Sequence, residues 1–378
     1  MRIAIVTLPF HTNYGGVLQA YALRRVLMEM GHEVSVLALR HGMPLPVWWK
    51  APAVYARRFF VRLLRGAGAP EVFRELRYRK ELPVVSSHVG RFVDEQISPE
   101  VINSYRDIRE GQYDAFVVGS DQVWRPRYFG RIEDAFLEFT TGWDVLRMSY
   151  AASFGTSELE YSPAQLASCS ALLGKFDAVS VREEDAVGIC RDWFGFGNAV
   201  HVLDPVMILG RDVYSEIASR VPCSGAGGKL LSYILDNDFQ KEHVVRFVAN
   251  AGGMEVHDAS VRPYDRRIPV SERVVPPLEH WLACLRDAAF VVTDSFHACV
   301  LCILFHKPFI AVGNRARGMA RLKSLMEMCN LGQRLVHGID PGDDCRFFLD
   351  GPCWDDVDRR VLALRRVSLD FLCGALEK

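Results

Sequence analysis

The sequence has no run of the roughly 18 apolar residues that a membrane-spanning helix needs. Its start, Met1-Arg2-Ile3-Ala4-Ile5-Val6-Thr7-Leu8, is a short apolar run that lacks the length and the small-residue cleavage site of a secretory leader. Net charge is nearly absent too, with 45 Lys and Arg against 46 Asp and Glu, so no overall basic balance points to nucleic acid. The ten cysteines form no disulfide framework; they are scattered, mostly through apolar runs, as reduced buried thiols are. These absences together predict a cytoplasmic protein. No Gly-x-Gly-x-x-Gly follows the first apolar run, where Asn13-Tyr14-Gly15-Gly16 stands instead, which argues against a dinucleotide oxidoreductase.

What the chain does have is length and a repeated rhythm. At 378 residues, nearly half of them apolar, it can build two cores. Ile3 to Leu8 reads as a buried strand, His11 to Gly16 as a polar loop, and Val17 to Met30 as an amphipathic helix ended by Gly31. Glu33 to Leu39 completes a βαβ unit. Further strands are expected at Tyr113 to Val118, Arg147 to Ala152, Ala178 to Val181 and Val200 to Leu203. A glycine-rich stretch, Cys223 to Gly228, then precedes a second series. Its strands are at Lys229 to Leu235, Met254 to Asp258, Phe290 to Thr293 and Pro308 to Val312, with helices at Leu278 to Arg286 and His297 to Phe305. The expected fold is α/β: two doubly wound, Rossmann-like domains facing a cleft, 1–222 and 229–355. A terminal helix over 356–378 packs either on the second domain or back on the first.

Residues 44–82 break the rhythm. Pro44, Pro46, Trp48, Trp49 and Pro52 precede a helical stretch in which Arg57, Arg58, Arg62, Arg65, Arg74, Arg77 and Arg79 alternate with Phe59, Phe60, Leu63 and Leu64. The stretch is either an insertion with a solvated basic face or, over 48–80, a platform for an anionic surface or a diphosphate-linked lipid.

The most informative stretch is Val291-Val292-Thr293-Asp294-Ser295-Phe296-His297-Ala298-Cys299. A strand runs into a loop where Asp294 or Ser295 can cap the next helix. The free amides and positive dipole of that helix end favour an anion. His297 beside it can exchange a proton near neutral pH. His297, Cys299, Cys302 and His306 do not have zinc spacing, because both cysteines lie within an apolar helix, and no metal is expected.

Six segments, in order, resemble the polysaccharide pyruvyl transferase family. They are Asn13-Tyr14-Gly15-Gly16-Val17-Leu18-Gln19-Ala20-Tyr21-Ala22-Leu23, Val118-Gly119-Ser120-Asp121-Gln122-Val123-Trp124, Tyr150-Ala151-Ala152-Ser153-Phe154-Gly155, Ser180-Val181-Arg182-Glu183, Leu203-Asp204-Pro205 and Thr293-Asp294-Ser295-Phe296-His297. The resemblance implies a GT-B-like pair of domains. It also implies transfer of the enolpyruvyl carbons of phosphoenolpyruvate to a hexose of a polysaccharide or cell-wall precursor, giving a cyclic pyruvate ketal and phosphate. Phosphoenolpyruvate would be a co-substrate and no cofactor would be needed. The acceptor could be lipid-diphosphate-linked, which would bring the protein to the inner face of the cell membrane.

Some family members carry Arg-Leu-His where this chain has Ser295-Phe296-His297, so another cation must replace that arginine. Arg182, Arg315, Arg317 and Arg321 are the candidates. On this reading Ser295, Phe296, Arg182 and Arg321 bind the donor, and His297 is the acid. Arg182 grips an anionic group of the donor, and Asp121 accepts a proton from the attacking hydroxyl or orients the acceptor. Asn13, Tyr14, Gly15, Gly16, Ser120, Asp121, Trp124 and Ser153 would hold the acceptor. Each has a plainer alternative: Arg182 in an ion-pair cluster with Glu183 and Glu184, Asp121 as a turn residue, Trp124 in the core, Gly15-Gly16 as a tight connection needing positive φ. Two other functions remain open, a glycosyltransferase using a nucleotide sugar and a non-catalytic carbohydrate or anion sensor.

Overall fold

Strand pairing is parallel throughout both sheets, because each strand is returned to the same edge by a crossover. The computed structural model describes residues 1–40, 46–65, 71–222, 224–265, 267–314, 318–338 and 349–377. Cys223, Pro44, Arg315 and Arg317 lie outside them.

The first domain is laid out as β1 (Arg2–Val6), α1 (Tyr14–Glu29), β2 (Glu33–Leu39), α2 (Ala51–Arg65), α3 (Arg74–Val85), α4 (Ser87–Phe92), β3 (Glu100–Ile102), β4 (Ala115–Asp121), β5 (Leu146–Ala152), α5 (Pro163–Leu173), β6 (Ala178–Val181), α6 (Glu184–Asp192), β7 (Val200–His201), α7 (Pro205–Leu209) and α8 (Arg211–Ser219). Its seven strands are ordered β3-β2-β1-β4-β5-β6-β7. Ile3 to Val6 of β1 are fully buried, since helices cover both faces of a parallel sheet and the strand is therefore apolar throughout.

The second domain has β8 (Leu230–Tyr233), α9 (Phe239–Gly252), β9 (Val256–Asp258), α10 (Leu278–Asp287), β10 (Phe290–Thr293), α11 (Phe296–Leu304), β11 (Phe309–Val312), α12 (Ala320–Met328) and β12 (Leu335–Val336), with strand order β12-β11-β10-β8-β9. The order reverses between β1 and β4 in one sheet and between β8 and β10 in the other. Doubly wound sheets form their ligand crevices at such points, and here the two reversals flank one cleft. These are two Rossmann-like domains, as the sequence pattern predicts.

The structure departs from the expected elements in one consequential place. α1 begins at Tyr14, not Val17, because the Asn13 side chain caps it by accepting from the Gly15 amide (3.1 Å). Gly15 and Gly16 therefore sit in the first turn of a helix, and neither has positive φ. Tyr14, expected on an acceptor loop, lies in the helix, packed against the second domain at the lining of the cleft. Its ring stacks on Trp281 of α10 (centroids 4.8 Å apart) and its hydroxyl donates to the Pro276 carbonyl (2.7 Å).

The terminal helix α13 (Trp354–Leu376) crosses back to the first domain. Ser368, fully buried, accepts from the Leu203 amide (3.0 Å) and donates to the Leu364 carbonyl (2.8 Å), while Phe371 lies against Tyr150. At its start His306 of the second domain bonds Asp358 and stacks on Trp354, so the helix spans both domains. Ser368→Ala should destabilise the protein by about 1–3 kcal/mol, since the buried Leu203 amide is left without an acceptor. Urea unfolding reads this directly, and an unshifted midpoint would show that docking of α13 does not depend on the bond.

Candidate active site

Four of the resembling segments end at one buried charge. Arg182 leaves the end of β6 and is wholly enclosed. One nitrogen of its guanidinium donates to Asp204 (2.8 Å) and another to Asp121 (2.9 Å), while its face lies 4.4 Å from the centre of the Phe296 ring. Asp121 terminates β4 with φ of 66°, a left-handed conformation that Asp adopts more readily than most residues. Asp204 caps α7 by accepting from the Val206 amide (3.0 Å) and also takes a long bond from Ser120 (3.3 Å). From the second domain, His297 brings its Nε2 to 3.6 Å from Asp204 Oδ2. The other edge of the imidazole lies on Gly15: a Cβ there would collide with Nδ1. Gly15 is thus required by a close approach across the domain boundary, not by the positive φ that a tight connection would need.

The electrostatics follow from enclosure. Burial opposes ionisation of Asp204 and Asp121, yet both carboxylates are held below the ordinary range by the charges around them. Asp204 owes this to His297 and Arg182, and Asp121 to Arg182, His297 and Arg321. Arg321, buried and 3.6 Å from Asp121, is lowered to about 10 by burial and by Arg182. Glu183 goes the other way. Burial raises it above the usual carboxylate range, and it accepts a hydrogen bond from the Ser153 hydroxyl.

These contacts revise several expected roles. Arg182 does not face the cleft as an open clamp, because two carboxylates already occupy its fork. Trp124 does not offer a stacking platform: it is fully buried, its indole donates to the Ala135 carbonyl (3.0 Å) and it stacks on Phe136. Ser153 and Ser120 are buried as well. Ser120 donates its amide to Gln19 (2.8 Å) and its hydroxyl to the Ala151 carbonyl (2.8 Å). Ser295, and not Asp294, caps α11, accepting from the Ala298 amide (3.4 Å), and the Ser295 carbonyl takes the Cys299 amide (3.1 Å). Part of the expected anion cradle is therefore already filled. Asp294 instead organises the second domain, accepting from the Leu235 amide (2.7 Å), Lys241 (3.0 Å) and Asn314 (2.8 Å).

Beside this network an opening of about 850 Å³ separates the domains. Asn13, Gly16 and Asp121 line its first-domain wall together with Arg127; Tyr233, Asp236, Arg262 and Tyr264 line the other. Asn13 and Asp121 thus reach the cleft, whereas His297 lies behind Gly15. Sequence reasoning missed the partnership of Asp204 with His297, although Asp204-Pro205 is a recognisable helix start. It also missed Gln19, buried in α1, which ties Thr7 and the Gly16 carbonyl to Ser120.

Among the described residues His257, His280 and Cys284 bring three potential metal-ligand atoms within 4.8 Å of one another. The Cys284 thiol donates to the Ser224 carbonyl (3.5 Å) and lies 3.5 Å from His280 Nε2 and 3.8 Å from His257 Nε2, and burial pushes it up to about 11.

Residues 13–315 match the family described as polysaccharide pyruvyl transferase. No curated protein matches the chain. Among solved structures it is similar to the glycosyltransferase of kitacinnamycin (14% identity, TM-score 0.45, covering 98% of this chain and 95% of that one). It is also similar to UDP-GlcNAc 2-epimerase from Neisseria meningitidis (8%, 0.45, 99% and 100%) and to the E. coli heptosyltransferase WaaC with ADP (14%, 0.39, 96% and 100%).

The buried charges predict an acid-sensitive stability. With Asp204 lowered in the folded state, its contribution is complete above the unfolded carboxylate value, about 4, and is lost as pH falls through the lower folded value. Asp204→Asn, which leaves half of the Arg182 fork without a charged partner, should cost about 3–5 kcal/mol at neutral pH. The gap to the native protein should narrow below about pH 4. Urea midpoints measured across this range check it; a gap that does not vary with pH would contradict the assignment.

Proposed function

The chain belongs to the polysaccharide pyruvyl transferase family, and from that premise we propose that it moves the enolpyruvyl carbons of phosphoenolpyruvate onto two hydroxyls of a hexose. The product is a cyclic pyruvate ketal and free phosphate. The observation that best supports this reading is the approach of His297 to Asp204 across the domain boundary, at 3.6 Å. Asp204, held ionised beside the imidazole, orients the ring that the scheme uses as its acid.

The reaction needs one proton at the methylene carbon. His297, behind Gly15 in this arrangement, supplies it once domain movement brings its ring to the donor, and the carbon bearing the phosphate becomes oxocarbenium-like. A sugar hydroxyl adds there and releases its proton. Phosphate then leaves with its electron pair, and the second hydroxyl closes the ring and releases the second proton. One of the two released protons restores His297 and the other goes out with phosphate. Asp121, on the cleft wall and held ionised, is a weak base. It suits a hydroxyl that turns acidic only as it bonds to the cationic carbon, and otherwise orients the acceptor.

With the Arg182 fork filled, Arg182 serves by keeping Asp121 and Asp204 charged. The donor's anionic groups are assigned to Arg127 and Arg262, which face the opening from opposite domains, with Arg321 held against Asp121 of the cleft wall. Domain closure about the Gly225–Gly228 segment would bring donor and acceptor together and exclude the water that would otherwise capture the cationic carbon. The acceptor is a hexose of a glycan precursor, with a lipid-diphosphate carrier fitting the cations of the cleft.

Incubation with phosphoenolpyruvate and a galactose-type acceptor, followed by phosphate release and detection of the ketal methyl group, tests the reaction. Absence of acceptor-dependent phosphate release, or turnover of a nucleotide sugar instead, would replace this reading. His297→Ala should lower turnover by about 10²-fold or more with the fold retained. Gly15→Ala should approach the same loss by displacing the ring, whereas Gly16→Ala, which meets only the Asn13 side chain, should be milder. Near-normal turnover in His297→Ala would remove the acid from the scheme.

A further inference from the structure

We propose that helix α2 docks the protein on an anionic lipid bilayer, its apolar face lying in the interfacial layer. The surface stands on its own observations and does not depend on the transfer reaction. None of the residues of α2 is buried. At 100° per residue, Ala56, Phe59, Phe60, Leu63 and Leu64 share one face about 140° wide. That face points to solvent: Leu63 is 72% and Leu64 84% exposed, and Phe59 and Phe60 more than half. The opposite side does the packing. Val54, Tyr55, Arg58 and Val61 are half-buried, the Tyr55 ring lies against Phe73 (4.9 Å), and Arg58 pairs with Glu75 of α3 (2.8 Å). The usual order is thus reversed, with the polar contact inside and the large apolar side chains outside, at a cost in water that a soluble helix has no reason to carry.

The charges identify the occupant. Between Pro46 and Arg65 there are five basic residues, Lys50, Arg57, Arg58, Arg62 and Arg65, and no acidic one. Arg57 and Arg62 sit on the two borders of the apolar face, where long stems let the head groups reach lipid phosphates while the neighbouring rings go deeper. Trp48, 85% exposed, and Trp49 precede the helix, and tryptophan favours the level of the head groups. A second copy of the chain would set this basic rim against an identical one, so self-association lacks the charge complementarity that an anionic surface provides. No helix among the described residues is long and apolar enough to cross a membrane, so α2 would lie on the bilayer and not in it as a span.

The position of α2 relates docking to the cleft. Its partner α3 reaches the second domain, where Glu81 pairs with Arg273 (2.9 Å) and Arg273 donates to the Pro263 carbonyl (3.4 Å). Pro263 and Tyr264 belong to the cleft wall. A bilayer under α2 therefore lies beside the cleft, where an acceptor carried on a lipid would arrive.

Co-sedimentation of the full chain with vesicles tests the proposal. The protein should bind vesicles of phosphatidylglycerol and phosphatidylcholine, bind pure phosphatidylcholine poorly, and be released as ionic strength rises well above about 0.1 M. The double variant Leu63→Glu, Leu64→Glu should lose at least tenfold in vesicle affinity. Arg57→Gln and Arg62→Gln should each lose about fivefold at low salt. Leu362→Glu, which alters an exposed leucine on α13, should bind as the native chain does. Circular dichroism melts and phosphate release with a water-soluble acceptor should be unchanged in the α2 variants; unchanged activity there separates this surface from the catalytic reading. Failure of the native chain to bind anionic vesicles would overturn the proposal. So would undiminished binding by the leucine variant, or a dimer in sedimentation equilibrium that the leucine variant abolishes without any vesicle binding by the native chain.

Discussion

The buried guanidinium of Arg182 constrains more of this structure than any other group. A cation that cannot reach water must be matched by anions at hydrogen-bond distance. The chain meets that demand with Asp121 and Asp204, which are 61 and 22 residues away in sequence. The match sets the ends of β4 and β6 and the start of α7 relative to one another. It also leaves Asp204 ionised where His297 arrives from the other domain. Structural and chemical roles coincide here: the carboxylates that neutralise Arg182 are the ones that face the imidazole and the cleft.

The second constraint is how closely the domains can approach. Gly15 lets the His297 ring lie on the first turn of α1, and Tyr14, the preceding residue, stacks on Trp281. Two adjacent residues at one helix start thus join both domains, one by being absent of side chain and the other by a large ring. The terminal helix adds a further tie, bonded to the first domain at Ser368 and to the second at His306. A cleft between two Rossmann-like domains is therefore bounded by definite contacts, and the enzyme chemistry proposed for it depends on how those contacts open and close.

The peripheral helices answer to a different constraint. α2 is fastened by an ion pair and an aromatic contact, yet turns its leucines and phenylalanines to solvent. Elsewhere among the described residues most large apolar side chains are buried and the buried charges are paired, so an exposed apolar face on α2 is informative.

Periodicity and turn chemistry in the sequence determined the two α/β series and several strands to the residue, among them Glu33–Leu39, Ala178–Val181 and Phe290–Thr293. They also determined the set of segments that converge on the site. These features are local: they depend on neighbours within a turn or a strand, which a sequence displays directly. Tertiary structure alone decided what those residues touch. It chose Ser295 over Asp294 as the cap, since Asp294 finds better partners in the Leu235 amide and Lys241. It enclosed Trp124, gave Arg182 two carboxylates, turned the glycine pair from a loop into a helix start, and sent α13 back to the first domain. It also decided which face of α2 meets water. Each of these outcomes is a competition between partners far apart in the chain, settled by burial and by the charge already present at the contact, and neither is written in the spacing of nearby residues.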